Sequence, residues 1–141
     1  MRLFRWVVGL MGIGLVSLAV VVPASLASVH HIDLQATLHG GLAFPDVSGS
    51  SAYDRGGGQR EVTVTVTGLN GTPSLVGKRV VFFVAGKKIG TRLVGNSGTV
   101  TIERQTIHGQ FVPYASAGNW VRVRTLGGEL VALGKYHRVA N

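Results

Sequence analysis

Glu61-Val62-Thr63-Val64-Thr65-Val66-Thr67 puts valine on one parity and threonine on the other. Successive side chains of a strand point to opposite faces, so this period of two makes one apolar and one polar face. β-branched residues at six consecutive positions fit a pleated sheet better than a helix. The stretch predicts an antiparallel strand with its valines buried and its threonines wet. Downstream, Arg79 to Ala85 (RVVFFVA) is apolar on both parities and predicts a central strand covered on both sides. A tight turn at Gly86-Lys87 leads to a return strand over Lys88 to Val94. A second turn at Asn96-Ser97-Gly98 leads to a third, Thr99 to Gln105, so the three strands read as a meander. Trp120 to Leu126 alternates again, with Val121 and Val123 inward and Arg122 and Arg124 outward. Gly127-Gly128 marks a hairpin before the closing strand, Glu129 to His137. Asp33 to Leu42 and Ser50 to Tyr53 are weaker strand candidates. The connections 54–59, 68–77 and 108–118 carry the glycines and prolines of loops. Seven or eight short strands with no long helix predict a single all-β domain, an antiparallel β-sandwich or small barrel.

The chain opens differently. Arg2 and Arg5 precede an apolar run from Trp6 to Val22, followed by Pro23 and the small residues Ala24, Ser25 and Ala27. A positive head, an apolar middle and a small-residue exit predict a signal helix over residues 1–27, cut after Ala27. Left uncut, the run of 17 residues would serve as a short membrane anchor. Either way, residues 28–141 are expected outside the cytoplasm, periplasmic or extracellular. With no cysteine in the chain, that domain has to be held by burial and sheet hydrogen bonds.

Ala36 to Leu69 (ATLHGGLAFPDVSGSSAYDRGGGQREVTVTVTGL) resembles the first hairpins of CHRD-like and related small secreted bacterial β-sandwich domains. The order is a strand, a proline-containing turn, a Gly-Ser stretch and a Val/Thr strand ending in Gly-Leu. Residues Gly77 to Tyr136, with VFFVAGKKIGT and GQFVPYASAGNWVRVR, are similar to the second half of exported bacterial domains of the same build. The resemblance implies an Ig-like sandwich and brings no activity with it.

Without Arg2 and Arg5, 12 basic side chains face 6 acidic ones, a net charge of +6. A basic exported domain meets anionic polysaccharide or an envelope surface rather than intracellular nucleic acid. The candidate basic face is Arg92, Arg104, Arg122, Arg124, Lys135 and Arg138, with Lys87 and Lys88 near it. Trp120 and Tyr136 are candidate stacking surfaces. The segment 28–42 offers a second mode, pairing as an edge strand with other subunits. Cleavage after Ala27 would also expose Ser28-Val29-His30, whose amine, two amides and imidazole make a square-planar set for Cu(II) or Ni(II). His31 and His39 are the candidate axial ligands of that periplasmic metal-binding alternative.

The enzymatic motifs are missing. Gly95-Asn96-Ser97-Gly98 lacks a base in any matching context, and no G-x-S-x-G elbow or H-E-x-x-H pair occurs. The leading expectation is an exported, non-enzymatic binding or structural domain that needs no cofactor. A small carbohydrate-binding module is the third reading, and any membrane contact is assigned to an uncleaved leader.

Overall fold

The computed structural model describes residues 30–140, and the fold is that of the unit beginning at His31. The expected signal helix and Ser28 lie outside the described residues. Nine strands form one antiparallel sheet: β1 (Ile32–Gly40), β2 (Ser48–Gly56), β3 (Gln59–Thr67), β4 (Arg79–Val84), β5 (Lys87–Leu93), β6 (Val100–Gln105), β7 (Trp120–Thr125), β8 (Leu130–Lys135) and β9 (His137–Arg138). A single 3-10 turn follows β6 at Thr106–His108. Among the described residues, no helix is long and apolar enough to cross a membrane.

The strands are ordered β5-β4-β7-β8-β1-β2-β3-β6, with β9 paired to β1. The sheet curls until β5 and β6 meet, so the architecture is a nearly closed barrel rather than two stacked sheets. That corrects the meander. β4 and β5 do form a hairpin, but β6 takes its ladder from β3, from Glu61↔Gln105 to Val66↔Val100. The seam between β5 and β6 is closed by a side chain, with Arg104 Nε donating to the Ile89 carbonyl at 3.0 Å. A Cβ on Gly90 would lie 2.6 Å from Ile102 Cδ1 and 2.7 Å from Arg104 Nη2, so a larger residue would have to displace the side chains that fill the seam.

The alternation read from sequence decides what fills the barrel. Val62, Val64 and Val66 are fully buried against Leu34, Ala36 and Leu38 of β1 and Val80, Phe82 and Val84 of β4. The central strand β4 is covered on its inner face and only partly outside, where Val81 is buried and Phe83 half-buried. Phe44, Val47, Leu69, Leu75 and Val94 extend the core into the loops at one end. At the other end the connection 106–119 closes the barrel. Tyr53 Oη donates to the Pro113 carbonyl at 2.8 Å and accepts the Ala115 N–H at 3.1 Å. Arg60 Nε donates to the Val112 carbonyl at 2.8 Å, and its guanidinium stacks 4.1 Å from the Tyr114 ring centre.

β1 is the strand that makes the ring. It pairs with β2 over its whole length, from Ile32↔Arg55 to His39↔Ser48. On its other flank it meets β8 at His39↔Leu133 and Gly40↔Ala132, and β9 at Leu34↔Arg138 and Gln35↔His137. Between those contacts β8 and β1 run so close that a Cβ on Gly134 would sit 2.4 Å from the Thr37 carbonyl oxygen. β1 is thus paired on both flanks within its own chain, and the two sheet edges face each other at the seam.

Candidate functional site: a cationic groove along strand β8

The acidic strand residues are confined to one half of the barrel wall, whereas basic ones occur on both, Arg55, Arg60 and Arg104 lying on β2, β3 and β6. None of β4, β5, β7 and β8 carries an acidic residue. Asp33, Asp54, Glu61 and Glu103 all lie on β1, β2, β3 and β6. On the basic half, Val121 and Val123 enter the core, so parity sends Arg122 and Arg124 outward. The ladders then set Arg122 between Phe83 of β4 and Leu133 of β8, and Leu133 beside His39 of β1. Trp120 opens β7 opposite Lys135.

An open groove of about 550 Å³ runs along β8, lined by His39, Leu42, Trp120, Leu133, Lys135 and His137. Lys135 Nζ stands 4.8 Å from the indole centre and the Arg122 guanidinium 5.6 Å from it. Both cations are within cation–aromatic range of the ring, which still exposes 36% of its residue surface. An exposed indole beside two positive charges can take an apolar sugar face and, next to it, an anionic substituent. His39 and His137 add imidazole nitrogens that donate or accept.

The other residues singled out from sequence fall elsewhere. Arg92 pairs across from the inward Val80, and its Nη1 donates to the Thr91 carbonyl at 3.0 Å. Arg104 is engaged at the seam. Arg138 is exposed on β9, opposite Leu34. The expected six-residue face is therefore reduced to Arg122, Lys135 and Arg124, the last donating through Nη1 to the Gly128 carbonyl at 2.9 Å; Arg92 and Arg104 have inward parity on edge strands, and Arg138 lies beyond β1 on β9. Lys88 joins the basic half opposite Phe83.

Tyr136 offers no stacking surface. It is 2% exposed, and its hydroxyl is 2.7 Å from Ser51 Oγ. Ser51 already gives its proton to the Thr63 carbonyl at 3.0 Å, so the phenol is the donor. Burial pushes the Tyr136 phenol up to about 12, against a smaller lowering from Ser51. Burial also raises Tyr53, whose ring is 5.9 Å away, centre to centre.

The proposed metal ligands divide as well. His30 is exposed, and Ser28 is outside the described residues. Because β1 is extended, His39 lies roughly 25 Å along the chain from His31, and the two cannot ligate one ion. His39 belongs to the groove. His31 instead pairs with Asp33 and Asp54, a grouping that the sequence spacing alone did not show.

Compared with known proteins, the chain matches no family model, and no curated protein is significantly similar to it. The likeness to CHRD-like domains stands on the strand and turn order alone and carries nothing into the functional argument.

Proposed function

We infer that residues 28–141 act outside the cytoplasm as a non-enzymatic binding barrel that holds anionic polysaccharide at the cell envelope. The observation that carries this is Trp120, exposed within about 6 Å of the Lys135 and Arg122 cations on a barrel half with no acidic strand residue. Each sugar unit would lay its ring hydrogens on the indole and its carboxylate or sulfate on a cation. The open groove suits a chain that slides through rather than a small molecule enclosed on all sides. Pairing through β1 is less favoured, because that strand would first have to leave two partners in its own barrel.

Retention on heparin and on polygalacturonate, eluted with salt, tests the reading. The natural chain should be held and released by salt, since exposed charge pairs are screened. Arg122→Ala with Arg124→Ala should elute at clearly lower salt. Trp120→Ala should weaken binding by roughly 3- to 10-fold at constant charge, the range of one lost aromatic contact. Retention unaffected by all three substitutions would sink the proposal. Equal retention on neutral dextran, lost with Trp120→Ala, would move it to a carbohydrate-binding module for uncharged sugar.

A further inference from the structure

Asp33 and Asp54 stand directly opposite each other across β1 and β2, and Glu61 stands opposite Asp54 across β2 and β3. All three point outward, because Leu34, Tyr53 and Val62 beside them are buried. Like charges directly opposite on neighbouring strands are unfavourable, so the row calls for a cation. Among the described residues, no lysine or arginine forms an ion pair with any of the three. The partner of the two aspartates is an imidazole, with His31 Nε2 3.1 Å from Asp33 Oδ1 and 3.2 Å from Asp54 Oδ1, while Glu61 Oε1 accepts from Gln105 Nε2 at 3.4 Å.

That geometry asks for more than a hydrogen bond. A single ring nitrogen has one proton to give and faces two carboxylate oxygens at equal range. A metal ion in that gap would bind all three atoms at once. With metal–ligand bonds of about 2.0–2.1 Å, tetrahedral ligand atoms are roughly 3.3 Å apart, and the two His31 distances match this. The three donor atoms lie within 4.8 Å of one another, so a small rotation of exposed side chains closes the set. Asp33 and Asp54 also line an open cleft of about 280 Å³, so the remaining position of the set is open to water.

We propose that His31, Asp33 and Asp54 form a site for a divalent transition-metal ion of zinc-like preference, with water completing the tetrahedron. One imidazole with carboxylates suits a borderline ion. The square-planar Ser28-Val29-His30 set would select copper or nickel instead. The site shares no residue with the β8 groove, so it stands or falls separately from polysaccharide binding.

Zinc titration of the full chain by calorimetry, paired with thermal unfolding, tests it. One ion should bind per chain and raise the unfolding midpoint. His31→Ala and Asp54→Asn should each weaken binding at least 10-fold, whereas His39→Ala should leave it unchanged. Asp54→Asn should also raise the metal-free midpoint, because it removes a like-charge pair. Absence of one-to-one binding, or zinc binding unchanged by His31→Ala and Asp54→Asn, overturns the site. So does a simple ion pair, in which Asp54→Asn lowers the metal-free midpoint and zinc shifts neither protein.

Discussion

Ser51 and Tyr136 show how much a single polar contact decides inside an apolar barrel. Tyr136 Oη donates to Ser51 Oγ, and Ser51 donates onward to Thr63. Tyr136→Phe leaves Ser51 satisfied and should cost about 1 kcal/mol. Ser51→Ala strands a buried donor and should cost roughly 1–3 kcal/mol, although it removes only one oxygen. The double variant should be close to Tyr136→Phe alone; urea unfolding of the three proteins would show a different order if the donor assignment is wrong. The same phenol sets an alkaline limit. Its folded value of about 12 lies above the ordinary 10, so the folded state keeps a proton that the unfolded chain gives up. Stability is therefore whole below pH 10 and falls as pH rises from 10 to 12, by on the order of 2–3 kcal/mol. Tyr136→Phe should flatten that part of the curve, and an unchanged slope would rule the phenol out as its source. Strand parity made this tyrosine legible, since an outward Lys135 requires an inward Tyr136. Reading both as surface residues ignored the period of two.

At the scale of elements, the local strands were legible and their neighbours were not. Alternation marks Val62, Val64 and Val66 as a buried face, and glycine pairs mark the hairpins, because both signals lie within one short window. That β6 pairs with β3, or that Leu133 stands between His39 and Arg122, depends on contacts across many residues and leaves no local trace. The charge groupings suffered most. Arg92 and Arg104 looked equivalent to Arg122 until the curl of the sheet turned them to the seam. Nor was the 106–119 connection legible as a plug, since its hold comes from Tyr53 and Arg60 far upstream. Arg60→Ala removes one hydrogen bond and one cation–aromatic stack. It should cost about 1–3 kcal/mol and speed amide exchange at residues 112–115. Exchange unaltered there would mean the plug is held by Tyr53 alone.

For the whole molecule, the confinement of acidic strand residues to one half gives the barrel two chemically different sides. A positive wall with one exposed indole and a negative row with one imidazole attract opposite ligands, and neither needs the other's residues. The net positive charge expected from composition is thus a directional property, which residue counts cannot express. Removing residues 136–140 tests the dependence of the ring on its closing segment. The buried Tyr136 and the β9 pairing with β1 would both be lost. The shortened chain should lose cooperative thermal unfolding, and a sharp transition of undiminished midpoint would show that β8 closes the ring unaided.

Because β1 is locked between β2 and the strands β8 and β9, the ring has a built-in order of events. β1, β2 and β3 can zip together as soon as they emerge in synthesis, since their pairings are local. Their buried valines and leucines then meet only part of the opposite wall, Val80, Phe82 and Val84, until Ala132 and Tyr136 have been made. A stalled or clipped chain would display that apolar half-wall to holding factors and proteases. Burial of Leu34 and Leu38 is therefore a record that synthesis ran through β9.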